Sequence, residues 1–291
     1  MRVNRLLIGT SAWSDHDPFY PAGTKSAEQL PFYARYFPIV EVNTTYYRIP
    51  PRRMVQGWVD RTPEGFVFDV KPPRELTSTP EEPRGEAPTP DADVASAFVE
   101  AISPLIEASK LGAVTFQFPP SYRNTEEHRE YLRLLPELMP GVPLSVEFRR
   151  RDWLDDEHTG GTLELLTDAG LSYTMVDEPQ MGSGSVPPVY AVTNPRLAVV
   201  RFHGRNYETW YRFTGSSRDR FNWEYSTEEL EEWRGKLDAA LQVAESVHVF
   251  FNTNFGDQGP RNAARLMDML QVEHPRLPDT QPPEQRSLFE N

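Results

Sequence analysis

The chain has 291 residues, 25% of them charged and 38% hydrophobic, which suits one large globular domain or two small ones. Its formal net charge of -13 disfavours nonspecific binding of nucleic acid over the whole surface, though a locally cationic cleft stays compatible with it. The absence of cysteine excludes disulfides, thiolate catalysis, iron–sulfur clusters and cysteine-based zinc sites.

The chain opens on MRVNRLLIGTSAW, whose apolar run, Leu6 to Ile8, is too short for the core of a secretion signal. No later run approaches a membrane span, so a cytoplasmic protein with no membrane partner is expected. RLLIGTSAW reads as a first strand, and residues 25–37 as a helix despite Pro31. IVEVN (39–43) is a second strand, and residues 51–62 form a helix with Pro51 near its start. FVFDVK (66–71) is a third strand. Residues 72–90 are proline-rich and polar and read as a long loop, a candidate lid. A long helix is expected over 91–112, kinked near Pro104. AVTFQFPP is a fourth strand, followed by a helix around 125–138. LSVEFR (144–149) is a fifth strand, and GGTLELLTDAG a short helix with a glycine stop. LSYTMVD (171–177) is a sixth strand.

The next segment, EPQMGSGSVPPVYAVTNP, has no helical period, so an irregular sixth crossover is expected. LAVVRFHG is a seventh strand. Ser226 and Glu229 make a capping box for an amphipathic helix over 226–246. VHVFFN (247–252) is an eighth strand, and residues 260–271 are the last helix. Eight strands separated mostly by helices predict parallel βαβ units and a TIM-type (β/α)8-like barrel, an α/β fold in a single domain over residues 1–274. Residues 275–291 read as a flexible C-terminal tail. A doubly wound open sheet is the alternative, and no GxGxxG or GxxxxGK[ST] loop supports it.

Strand side chains alternate between faces. Near their C-terminal ends the strands offer Glu41 and Asn43, Asp69 and Lys71, Thr115 and Gln117, then Ser145, Glu147 and Arg149. Asp177, Arg201 with His203, and Asn252 with Asn254 continue the set. Apolar residues such as Val40, Val42, Phe116, Val176 and Phe202 take the other face. Polarity gathers at one end of each strand, where ligand sites of such barrels sit, and predicts one axial pocket. The competing reading is a set of internal ion pairs with no ligand.

An anion is the simplest ligand for this set. Lys71, Arg74, Arg149, Arg201 and Arg205 offer charge and bidentate forks for phosphate or carboxylate. His203 is the candidate acid–base residue, with Glu147 or Glu41 as partner carboxylate. Asn43, Gln117, Asp177 and Asn252 add polar contacts, and Trp13 and Tyr47 add rings that could stack on a base or sugar. Glu41, Glu147, Asp177 and His203 are also compatible with a divalent metal. The nearby cations and the lack of HxH or HExxH disfavour one, so no metal ligand is assigned and the cofactor stays unknown.

The ordered blocks IGTSAW…FYP, YFPIVEVNTTYYRIP, FVFDVKPPRELT, GAVTFQFPPSY, SVEFRRRDW, VVRFHGR, WEYSTEELEEW and VFFNTNFGDQGPRNAARL resemble the YecE-like family, domain of unknown function 72. The resemblance runs from Leu7 to about Leu270 and implies a TIM-barrel-like fold without naming a reaction. Family folds have been likened to the xylose isomerase and endonuclease four superfamily, whose members often bind divalent metals. The chain departs from the pattern at Ala12, where the family commonly has glycine, and at Thr253, where it has a second asparagine. TSTPEEPRGEAPTP replaces a shorter threonine–histidine segment, so a histidine often found there is missing.

Three functions remain open on the sequence. One is an enzyme, a hydrolase, lyase or isomerase, acting on an anionic small molecule. The second is a nucleic-acid processing or repair protein. For that one, QRSLF (Gln285 to Phe289) resembles the short peptides that dock on sliding clamps, against the plainer reading of a tail packed on its own barrel. The third is a noncatalytic ligand-binding barrel.

Overall fold

The computed structural model describes residues 5–78, 88, 90–212 and 217–278. Eight strands lie in chain order in one closed, wholly parallel barrel, sealed by pairing of the first with the last. They are β1 (Arg5–Ser11), β2 (Ile39–Val42), β3 (Val67–Val70), β4 (Leu111–Gln117), β5 (Leu144–Glu147), β6 (Ser172–Asp177), β7 (Leu197–Phe202) and β8 (Ser246–Phe251). The helices are α1 (Ser26–Tyr33), α2 (Arg52–Asp60), α3 (Ala92–Glu107), α4 (Glu126–Leu138), α5 (Thr159–Asp168), α6 (Thr227–Val243) and α7 (Gln258–Met269). The α/β barrel expected from the strand count is therefore the fold. None of the described helices is long and apolar enough to cross a membrane.

Local chemistry explains the element boundaries. Asp91 and Thr125 accept backbone N–H bonds at the starts of α3 and α4. Ser226 and Glu229 close the expected capping box of α6. Pro31 cannot donate to the carbonyl of Ala27, and Arg61 Nη1 donates to that oxygen instead at 3.2 Å. Helix α3 stops at Glu107 and not at residue 112. Ser109 turns left-handed there with φ 55°, and Leu111 already belongs to β4. The sixth crossover has no α-helix between β6 and β7, only a short 3-10 turn at Gly182–Gly184.

The barrel separates two cores. The larger lies between strands and helices and takes Val40, Val42, Phe116, Phe118, Val146, Phe148 and Phe202. A smaller apolar cluster of Leu7, Ile39, Val67, Ala113, Leu197, Val199 and Phe250 fills the lumen near the strand starts. Polar residues stand in the lumen above that plug.

Strand register decides which residues face the lumen, because paired parallel residues share a face. Ser11 pairs with Glu41, Glu41 with Asp69, and Gln117 with Glu147. On β6, Thr174 pairs with Val199 and Val176 with Arg201. Val176 therefore faces inward and Asp177 outward, the reverse of the sequence expectation. The apolar Tyr173 and Met175 of this strand look to the helices, while small Ser172 and Thr174 look to the axis.

Ala12 holds a left-handed backbone with φ 72° at the end of β1, where the resembled family prefers glycine. An L-residue pays about 1–2 kcal/mol for that region, and glycine loses about 0.4–1 kcal/mol through its freer unfolded chain. Ala12→Gly should thus raise unfolding free energy by about 0.5–1 kcal/mol. A urea midpoint equal to or below that of the parent would refute this.

Candidate functional site

Arg201 is the centre of the upper lumen. It rises from β7 with no exposed surface. Its Nη2 donates to Glu41 Oε1 at 2.8 Å and its Nη1 to Gln117 Oε1 at 2.9 Å. Nη1 also donates to Glu147 Oε2. Burial works against its charge, but Glu147 and Glu41 outweigh burial and raise its pKa. Glu147 experiences the converse. Burial would raise it, yet Arg201, then His203 and Arg149, hold it well below the usual carboxylate range.

His203 stands beside this pair and is fully buried. Its Nε2 lies 3.0 Å from Glu147 Oε1, and its Nδ1 lies 3.1 Å from Asn252 Nδ2. The Asn252 amide donates to Nδ1, so Nε2 carries the proton and donates to Glu147. Burial, reinforced by Arg149 and resisted by Glu147, lowers its pKa to about 3. The imidazole is neutral at neutral pH with both nitrogens engaged. Burial thus moves His203 below the near-neutral titration expected of it. Its geometry suits orienting Glu147 more than shuttling protons.

Two cations stand closer to the rim. Lys71 follows β3 directly and is partly buried, with Nζ 3.0 Å from Gln117 Oε1. Burial, then repulsion from Arg201, pushes its pKa down to about 8. Arg149 follows β5 with its side chain 11% exposed. It donates to Glu178 at 2.7 Å, lies 3.4 Å from Glu147, and sits over the Trp210 ring at 5.7 Å. Glu178 also accepts the Val186 N–H at 2.9 Å. Burial, against the pull of Arg149, raises the Glu178 pKa to about 7.

Glu178 was not apparent from the sequence. It follows β6, and the outward turn of Asp177 brings it inward. Correct parity for the sixth strand was the signal that would have found it.

Asp177 and Arg205 lie outside the axial group. Arg205 Nε and Nη2 grip the two oxygens of Asp177 at 2.9 and 2.7 Å, and Nη2 reaches Glu232 of α6 at 2.8 Å. Tyr225 OH and Trp233 Nε1 complete Asp177 at 2.7 and 2.8 Å. All accept or donate within a strut that ties β6 to α6. With both oxygens doubly bonded, Asp177 has no capacity to spare for an axial ligand.

The remaining candidates are dispersed. Asn43 is partly buried at the end of β2, its Oδ1 buried without a partner. Arg74 is exposed in a 3-10 turn after β3, with no described hydrogen bond from its side chain to the lumen. Trp13 packs edge-on against Trp58 at 5.9 Å. Tyr47 is 81% exposed and meets Tyr46 edge-on at 5.3 Å. Deeper down, Asp69 accepts from His248 Nδ1 at 3.0 Å, and absence of a side chain at Gly112 leaves room for that pair.

The carboxylates do not make a metal centre. Among the described residues, no group of three His, Asp or Glu could hold an ion. The Arg201 guanidinium bonds both Glu41 and Glu147, and so fills the place between them that a cation would take. Asp177 points to the other side of the sheet. The divalent-metal set drawn from the sequence is therefore not assembled.

Known proteins share the whole architecture. The family model described as "Protein of unknown function DUF72" matches residues 7–287. The UPF0759 protein YunF of Bacillus subtilis (strain 168) is 35% identical over 288 residues, 98% of this chain and 100% of that protein. The UPF0759 protein YecE of Escherichia coli (strain K12) is 31% identical over 117 residues, 40% of this chain and 39% of that one. A crystal structure of a DUF72 protein from Enterococcus faecalis V583 superposes with TM-score 0.84 at 30% identity, covering 95% of this chain and 99% of that one. One from Thermotoga maritima MSB8 gives TM-score 0.80 at 33% identity, covering 92% and 99%. In sequence and in barrel alike, this chain belongs to the DUF72 family.

Proposed function

We propose that this protein binds a small phosphate- or carboxylate-bearing molecule at the C-terminal rim of its barrel and acts on it as an enzyme. The observation that carries this reading is the state of Lys71. Arg201 is ion-paired with Glu41 and Glu147, and Arg205 with Asp177 and Glu232, whereas the Lys71 ammonium has a neutral amide oxygen as its hydrogen-bond partner. Among the described residues no carboxylate lies within ion-pair distance of Lys71 Nζ. A partly buried cation without a counter-ion is costly unless an anion completes it. Arg149 stands at the same rim, held by a carboxyl that gains a proton near neutral pH.

The test is a thermal-shift screen with inorganic phosphate, sugar phosphates, sugar acids and short oligonucleotides. Lys71→Met should weaken any hit at least about tenfold, since a charge-assisted hydrogen bond is worth about 1.5–3 kcal/mol. Hits unaffected by the substitution, or no hit at all, would sink the reading. Oligonucleotide binding that falls steeply with salt would move the site to nucleic acid. The clamp-like peptide Gln285 to Phe289 lies outside the described residues and lends this alternative no structural support.

A further inference from the structure

The sequence holds 30 lysines and arginines, of which only Lys25, Lys71, Lys110 and Lys236 are lysines. Three have plain roles or none. Lys110 Nζ donates to Val59 O, Thr62 O and Thr62 Oγ1 at 2.8–2.9 Å. Lys236 Nζ sits 3.9 Å above the Tyr190 ring. Lys25 is exposed at the start of α1. Lys71 differs from all of them. It shares one acceptor, Gln117 Oε1, with the Arg201 guanidinium, at 3.0 and 2.9 Å respectively. Two cations thus converge on a single neutral oxygen at the barrel's ligand-binding end.

That arrangement favours losing a proton from the lysine, the one member of the pair that can lose it. A guanidinium stays charged, while an ammonium crowded by another cation is converted to a nucleophilic amine. Arginine would serve as well or better if only charge were needed here. The charged groups facing Lys71 are Arg201 from β7, Glu41 from β2, Glu147 from β5 and Arg149 just after β5. Burial, then Arg201, outweighs the two carboxylates and leaves Nζ, lowered to about pKa 8, with an appreciable free-amine fraction near neutral pH.

We propose that Lys71 forms an imine with a 2-oxo acid at the barrel rim. This rests on the anion reading above, since it takes the substrate's carboxylate to be held beside Arg149. Deprotonated Nζ adds to the carbonyl carbon, and the π electrons move to oxygen. The oxygen takes up two protons and leaves as water. One proton remains on nitrogen, so ammonium and ketone give a protonated imine and water in balance. The imine then draws electrons from the neighbouring C–C or C–H bond of the substrate.

The experiment treats the full-length protein with pyruvate and sodium cyanoborohydride near pH 7. The borohydride delivers hydride to the imine and fixes it as a secondary amine. Peptide mass mapping then follows each of the four lysines. Lys71 should be alkylated at least about tenfold faster than exposed Lys25, because a lowered amine pKa raises the free-amine fraction near pH 7. Lys71→Arg should keep the fold and the charge and lose that label alone. Labelling of Lys71 no faster than Lys25 overturns the imine, even if phosphate or sugar acids bind as proposed above. Acetone separates the two ideas. Labelling of Lys71 by acetone as fast as by pyruvate leaves the amine chemistry standing and removes the anion reading. Preference for pyruvate supports both.

Discussion

Arg201→Met should destabilise the protein by about 3–5 kcal/mol, the usual penalty for stranding buried charge. The substitution leaves Glu41 and Glu147 without their shared cation, and neither has exposed surface. Glu147 would keep His203 and Arg149, while Glu41 would lose its one ion-pair partner among the described residues. Urea unfolding at neutral pH is the measurement. The diagnostic step is to neutralise the stranded acids as well. Arg201→Met combined with Glu41→Gln and Glu147→Gln should recover a large part of the loss, because a buried triad and a neutral group of similar volume often have similar stability. A single-variant loss under about 1 kcal/mol would show that water or another cation reaches these carboxylates, contrary to their burial. Arg205→Met offers a contrast. Asp177 would keep the Tyr225 hydroxyl and the Trp233 indole, so the loss should be smaller.

Arg201 also shows what a sequence can and cannot disclose. The β7 run LAVVRFHG places Arg201 and His203 on one face by alternation alone, and the strand count places that face at a barrel rim. The strands and most helices follow from the same periodicities. Partner choice does not follow. Glu41 meets Arg201 across 160 residues of sequence, because closure of the barrel sets β2 and β7 around one axis. The sixth strand departs from the sequence expectation for a related reason. Both its faces are buried, so hydrophobicity carries no parity, and only its pairing with β7 shows that Asp177 turns outward. Arg205 followed Asp177 out of the predicted pocket, and Glu178 entered in its place. The chemical state of His203 was equally hidden. Its ordinary pKa suggested a proton carrier, but complete burial between Glu147 and Asn252 makes it a fixed neutral donor.

Glu178→Gln should change how stability depends on pH more than it changes stability at any one pH below about 4. Burial raises the Glu178 pKa from 4.5 to about 7 in the folded chain. Between those values the native state holds one more proton than the unfolded state, so this group lowers stability as pH rises. His203 acts in the opposite sense. Its pKa falls from 6.5 to about 3, so between those values the unfolded state holds the extra proton and stability is lost as pH falls. The two slopes oppose each other over roughly pH 4.5–6.5, each near 1.4 kcal/mol per pH unit, and hold the parent comparatively level. Replacing the titrating Glu178 carboxyl with an amide unmasks the His203 slope. Relative to the parent, the variant should gain about 3 kcal/mol between pH 4 and pH 8. Subtracting the two urea-derived curves cancels every other group and isolates this one. Parallel curves would mean that Glu178 titrates alike in the folded and unfolded chains, so that burial does not raise its pKa. A separation centred near pH 6 would instead show that the carboxyl holding Arg149 gains and loses its proton in the neutral range. The counter-charge on Arg149 would then weaken on the acid side, and the rim would bind an anion more tightly below pH 7 than above it.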